Sequence, residues 1–215
     1  MYSKSFNNFD DQIIDLPSGK LATLKTYLKM SLKSGLTDCP LPGGFTFERL
    51  NGSDLCRYRT IFTKVGQNWL WFSRLLLDDS QLAQLLNNPL CHAHALVYKG
   101  HSIGLFEIHH QTSETENASK TSDLAFLGLD MPMRGQGLGR ILVQKAKYLA
   151  QIHGSETLTV NTCQLDDPRA LGFYQKMGFK IEKLALEILN DPRHLGLYPP
   201  ESAPHIALSP TKNLY

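Results

Sequence analysis

From residue 45 onward, runs that alternate apolar and polar positions exchange with runs whose apolar positions recur every three or four residues. Residues 45–50 alternate as a strand does. Asn51, Gly52, Ser53 and Asp54 then turn, and Ser53 or Asp54 is placed to cap a helix reaching to about Val65. An aromatic segment, Trp69-Leu70-Trp71-Phe72, follows Gly66. Asp78, Asp79 and Ser80 cap a second helix over 81–87, which stops before Pro89. Residues 93–98 and 102–109 predict a hairpin around Lys99-Gly100. Residues 110–122 are polar without periodicity, and longer than most connections, which predicts a mobile or functional loop. Residues 123–129 and 157–162 are strands. Between them Leu138, Ile141, Leu142, Leu149 and Ile152 define a helix whose apolar stripe only Lys145 interrupts. Residues 168–177 form a short helix with Pro168 in its first turn and Gly178 at its end. Residues 179–189 return as a strand. This order predicts an α/β fold with a sheet of mixed direction. Upstream, the Pro- and Gly-rich stretch 38–44 marks a boundary. Residues 20–36 fit a helix, so 1–44 is expected as an N-terminal extension to a domain over 45–208, with 209–215 as the C-terminal end.

Composition narrows the classes. The chain has 215 residues, 42% of them hydrophobic, enough for one core. Its net charge is only +2 and no Lys/Arg block stands out, so no nucleic-acid partner is expected. No apolar run has the length of a membrane span, and the first residues lack the apolar core of a signal peptide. Cys39, Cys56, Cys91 and Cys163 are scattered without a C-x-x-C pair, as free thiols in a reducing cytoplasm would be.

The chemistry concentrates where the strand 123–129 gives way to the helix. Arg134-Gly135-Gln136-Gly137-Leu138-Gly139-Arg140 is a glycine-rich turn at a helix start. Such a turn exposes backbone N–H groups and the positive end of the helix dipole, a setting for phosphate. It lacks the Gly-Lys-Ser/Thr ending of a P-loop, and its glycines are wrongly spaced for the dinucleotide fingerprint. Arg134, Gly137 and Gly139 do match Arg/Gln-x-x-Gly-x-Gly/Ala. Further on, Asn161, then Asp167, Ala170, Phe173, Tyr174, Lys176, Gly178 and Phe179 match a second pattern, Asn-x-x-Ala-x-x-Phe/Leu-Tyr-x-Lys-x-Gly-Phe, with Asp167 where Asn is common.

On these two motifs the chain resembles the GNAT superfamily of acetyl-CoA-dependent N-acetyltransferases. Trp69, Trp71, Arg74, Glu107 and the tail around Asp191-Pro192-Arg193 and His205 further resemble a bacterial subgroup of it. The resemblance implies a GNAT fold: a mixed, mostly antiparallel sheet, flanked by helices and splayed between its fourth and fifth strands to admit the pantetheine arm. It also implies acetyl-CoA as cosubstrate, a primary amine as acceptor, direct attack in a ternary complex, and room for a homodimer. Cofactor contacts fall on Leu129, Asp130 and Met131 at the strand end, on Arg134, Gly135, Gln136, Gly137, Leu138, Gly139 and Arg140 at the turn, and on Asn161 and Asp167. The Leu129 N–H is the group to polarise the thioester carbonyl. Tyr174 matches the acid that protonates the departing thiolate, a suitable match of a phenol near pKa ~10 to a thiol near ~8.5. Trp69 and Trp71 would wall the acceptor pocket. The amine's proton is expected to go to Glu107, which interrupts the apolar run 103–108, or to Asp123; the alternative is two rim carboxylates and an amine that arrives neutral. A catalytically silent acyl-CoA-binding sensor or scaffold is the competing function, favoured by Asp167. Cys91-His92-Ala93-His94 and His109-His110 invite a metal, but no further ligand falls at a known spacing, so no metal is expected. Cys163 is expected as a buried small residue rather than an acyl-enzyme nucleophile.

Overall fold

The computed structural model describes residues 13–111 and 120–209. Among these residues, seven strands form one sheet: β1 (Lys20–Ser31), β2 (Phe45–Leu50), β3 (Cys91–Tyr98), β4 (His101–His110), β5 (Thr121–Leu129), β6 (Thr157–Cys163) and β7 (Lys180–Asn190). The α-helices of the described residues are α1 (Leu55–Gly66), α2 (Asp79–Asn87), α3 (Leu138–Ile152) and α4 (Ala170–Lys176). The strand order is β2-β3-β4-β5-β6-β1-β7. All neighbours run antiparallel except β5 and β6, which are parallel.

Local chemistry accounts for most boundaries. Asp78 closes a capping box with Gln81 at the start of α2, satisfying two backbone donors reciprocally. The β3–β4 hairpin turns on Lys99 and Gly100, both with positive φ (48° and 80°), the hand that matches strand twist. The expected 110–122 loop is pinned where it begins, Gln111 N–H donating to the Thr121 carbonyl at 2.9 Å; residues 112–119 lie outside the described residues.

The expected helix over 20–36 is a strand instead. Leu21, Leu24 and Leu28 have helical spacing, but the observed burial alternates, with Leu21 and Thr23 inside and Ala22 and Leu24 outside. β1 lies between β6 and β7 and pairs with both along most of its length. Residues 20–31 are therefore part of the sheet itself.

Helices cover both faces of the sheet. α3 buries Leu138, Leu142, Val143, Ala146, Leu149 and Ala150 against Phe106, Ile108, Leu124, Leu158 and Val160. On the opposite face α1 and α2 bury Tyr58, Ile61, Phe62, Val65, Leu82 and Leu86 against Ala93, Ala95, Val97 and Leu105. The C-terminal tail docks through Tyr198 and Ala203 onto Leu21, Leu70 and Leu165. Its buried Arg193 is satisfied by Asp191 at 2.7 Å and by the carbonyls of Ile206 and Ala207 at 2.9 and 3.0 Å. No helix among the described residues is long and apolar enough to cross a membrane.

One break in the sheet positions the site. β5 and β6 pair only from Thr121↔Thr157 to Leu124↔Val160. Beyond that β5 stays with β4 as far as Gly104↔Leu129, while β6 stays with β1 as far as Lys25↔Cys163. The parallel pair therefore splays, between the fourth and fifth strands of the expected set, and leaves a gap.

Candidate active site

A cavity of about 490 Å³ fills this gap, a size suited to a small-molecule ligand. Its walls come from β5 (124–129), the free end of β6 (161–163), the glycine turn, the residues around α4, and the two tryptophans.

The turn is shaped by backbone conformation. Gly135 and Gly137 have φ of 78° and 80°, the left-handed region that a Cβ disfavours. Gly137 is the N-cap of α3, with no side chain on its helix start. The unsatisfied N–H groups and positive dipole of a 15-residue helix thus open onto the cavity beside Gly135, Gly137, Gly139 and Arg140.

Arg134 is a brace as well as a charge. Its Nε donates to the Leu129 carbonyl at 3.1 Å, its Nη1 reaches Asp167 at 3.2 Å, and its guanidinium lies 4.9 Å from the Trp69 ring centre. Asp167 also accepts from Arg169 at 2.8 Å. The Arg169 hydrogen bond, with help from Arg134, holds the Asp167 carboxyl down at about 2, so it is a carboxylate at neutral pH.

Tyr174, on the cavity wall, is 7% exposed. Burial first, then Asp166 and Asp123, push its phenol well above the usual range, so it stays protonated. Trp71 donates its indole N–H to Asp166 at 3.1 Å, and Gly66 makes room for it: a Cβ there would lie 2.6 Å from the Trp71 Cβ. The Tyr198 hydroxyl donates to the Trp71 carbonyl at 2.5 Å, so the tail fixes this wall.

Most expected site residues meet here: Leu129, Arg134, Gly135, Gly137, Gly139, Arg140, Asn161, Asp167, Tyr174, Trp69 and Trp71 all line the cavity. Six do not. Asp130 pairs with Lys64 at 2.6 Å, Met131 is 52% exposed, Gln136 donates to the Pro132 carbonyl, and Leu138 is core. Asp123 sits where β5 and β6 still pair and accepts from Thr159 at 2.7 Å.

Glu107 is the largest correction. It is 0% exposed and outside the cavity. Its carboxylate contacts Tyr58 Oη at 2.5 Å, Arg74 Nη2 at 2.6 Å and His109 Nε2 at 2.6 Å. Burial alone would raise its pKa; His109, Arg74 and Tyr58 outweigh burial and hold it at about 2. The carboxylate is enclosed by these three partners and does not line the cavity.

Asp166, Lys25 and Glu187 are among the wall residues that escaped sequence reasoning. Asp166 accepts from Trp71, from Thr162 Oγ1 and from the Cys163 N–H, the last two at 2.9 Å. Lys25 and Glu187 form a 3.1 Å ion pair on strands β1 and β7. No motif marks any of them; Lys25 lies in the segment expected outside the domain. Cys163 lines the cavity with its thiol pushed up by burial, the opposite of an activated nucleophile.

In this splayed α/β sheet, one cavity is met by a glycine-rich helix start and by two tryptophans. The model of the acetyltransferase (GNAT) family matches residues 59–179, more than half of the sequence, and the chain belongs to that family. The peptidyl-lysine N-acetyltransferase YjaB of Salmonella typhimurium is 44% identical over 55 residues. That match covers 26% of this chain, which spans about a third (34%) of the length of that curated relative. Among solved structures, an aminoglycoside acetyltransferase from an uncultured soil metagenomic sample, crystallised with trehalose, superposes with TM-score 0.53 at 20% identity, over 62% of this chain and 86% of that one. A GCN5-related N-acetyltransferase from Sphaerobacter thermophilus superposes with TM-score 0.56 at 15% identity, over 79% of this chain and 52% of that one. At these identities the two structures bear on the fold alone.

Proposed function

We propose that this chain is an N-acetyltransferase that moves the acetyl group of acetyl-CoA to a primary amine by direct attack in a ternary complex. One observation carries the reading: the glycine turn and Tyr174 line the same gap between β5 and β6.

The chain's own groups divide the work as follows. The amides of the turn and Arg140 receive the pyrophosphate. The Asp130 N–H is spent on the Ile103 carbonyl towards β4, so strand alternation turns the Leu129 N–H the other way, into the gap. There it is aimed to stabilise the oxyanion that forms when an amine attacks the thioester carbonyl. As the tetrahedral intermediate collapses, Tyr174 gives its proton to the departing sulfur. Trp69 and Trp71 wall the acceptor side, where the Asp166 carboxylate supplies negative charge and Glu187 is balanced by Lys25 on the same wall. With Glu107 enclosed and Asp123 outside the cavity, the amine reacts as its neutral form, its proton leaving through water. Deacylation chemistry on Cys163 is not needed.

The test is a product assay with acetyl-CoA and a panel of amines, in the parent and in Tyr174→Phe. The variant should lose about 10²–10⁴-fold in turnover with unchanged acetyl-CoA affinity. Unchanged turnover would remove Tyr174 from the mechanism. Acetyl-CoA binding without transfer to any amine would favour the silent acyl-CoA-binding module.

A further inference from the structure

Three histidines meet at the end of the sheet away from the cavity. His92 is the second residue of β3, His110 the last of β4, and His153 follows the last turn of α3. One ring nitrogen from each lies within 4.8 Å of the others. His92 and His110 are 8% and 6% exposed, and His153 is half-buried at the surface. The His110 and His153 rings stack with centroids 3.8 Å apart, and His92 stands nearly perpendicular to both.

The hydrogen bonds around His110 leave one lone pair over. Its Nδ1 lies 2.7 Å from Ser122 Oγ, which is itself 2.6 Å from Ser155 Oγ. Its Nε2 is buried and has no hydrogen-bond partner among the described residues. Interiors rarely leave such an atom unmatched. With Nδ1–H donated to Ser122, Nε2 presents its lone pair, the tautomer that an outer-shell partner fixes in a metal-ligating histidine. Burial pushes His92 down to about 4 and His110 to about 3, and lowers His153, so all three rings are neutral at pH 7, as ligation requires.

We propose that His92, His110 and His153 form a binding site for a divalent transition metal of the zinc class, with water completing its coordination. Three imidazoles without a carboxylate favour such an ion over magnesium or calcium. Tetrahedral zinc with Zn–N bonds of about 2.0–2.1 Å sets its ligand nitrogens about 3.4 Å apart. The rings must therefore close in and unstack, and His153, at the surface, has room to turn. Two fixed charges bear on the site. His92 Nε2 lies 3.2 Å from the Pro89 carbonyl and donates to it, which leaves the ring's lone pair on Nδ1, 3.5 Å from Arg49 Nη1. Arg49, whose Nη2 holds the Cys91 carbonyl, opposes a cation and must swing aside for His92 to ligate. The C-terminal end of α3, which closes at His153, favours one.

The location separates this site from the proposed acyl transfer. His110 pairs with Ser122 near the start of β5, seven residues or about 23 Å of strand from Leu129 at the cavity. A bound ion would tie β3, β4 and the end of α3 together without touching the reactants. The neighbouring trio Cys91, Glu107 and His109 is as close-set, but Glu107 is engaged by Arg74 and Tyr58, and burial pushes the Cys91 thiol up to about 12.

The experiment uses tag-free full-length protein, stripped with chelator and titrated with zinc chloride, followed by calorimetry and thermal unfolding. One zinc per chain should bind and raise the unfolding midpoint, and cobalt in its place should show the visible bands of a tetrahedral site. His153→Ala, a surface change that leaves the core intact, should weaken zinc binding at least 10-fold, and Arg49→Gln should tighten it. The proposal is overturned by an absence of zinc-dependent stabilisation, by unchanged affinity in His153→Ala, or by loss of binding in Cys91→Ser instead.

Discussion

Replacing Glu107 by glutamine preserves the side chain's shape and removes its charge. Arg74 loses its counter-ion at 2.6 Å, the only one among the described residues, while its own side chain remains just 17% exposed. Leaving one member of a buried ion pair uncompensated costs about 3–5 kcal/mol. In a chain of this size each kcal/mol shifts the unfolding midpoint by roughly 2–4 °C, so a fall of about 6–20 °C is expected. The pH dependence carries the same signature. A carboxyl held at about 2 in the fold and near 4.5 when unfolded contributes stability that is present above pH 4.5 and lost as pH falls towards 2. Glutamine should abolish that acid-labile component. The assay is calorimetric unfolding of parent and variant, with turnover measured well below both midpoints, where it should be little changed. A variant as stable as the parent whose turnover collapses would refute the reasoning and return Glu107 to the role of general base.

Acid should destabilise the protein before its carboxylates titrate. Burial above all pushes His92 to about 4, and His94 and His110 to about 3, so the unfolded chain takes up protons near pH 6.5 that the fold refuses. Stability should fall as pH drops from 6.5 towards 3, by about 2 kcal/mol at about pH 5 from His94 alone, read as urea midpoints in chelator; a flat profile contradicts buried neutral rings. Asp166→Ala should strand the N–H groups of Trp71 and Cys163, each worth about 1–3 kcal/mol if left unpaired, and quench or shift Trp71 fluorescence. An unchanged urea midpoint and spectrum would mean that Asp166 does not hold this wall.

The parts of the fold legible in the sequence are those whose cause is local. The capping box at Asp78, the Lys99-Gly100 turn, the stripe of α3 and the glycine turn each carry their own reason within a few residues. β1 does not. Its leucines fit helix and strand alike, and its partners β6 and β7 lie more than a hundred residues further along the chain. The same distance hid Lys25 and Glu187 from the site. Glu107 shows a different failure. An acidic residue in an apolar strand announces an exception, but a reactive carboxylate and a buried ion pair look identical until Arg74 and Tyr58 are placed, 33 and 49 residues away. His153 likewise joins His92 and His110 only through the packing of α3.

The most direct test of the account is calorimetric titration of the protein with acetyl-CoA, in the parent and in Gly137→Glu. Gly137 holds φ at 80° on the helix start, so glutamate there would strain the turn and place negative charge against the pyrophosphate. Micromolar binding by the parent, abolished in the variant while the fold survives, is the predicted result. No binding by the parent, or equal binding by both proteins, would contradict the assignment of the β5–β6 gap to acetyl-CoA.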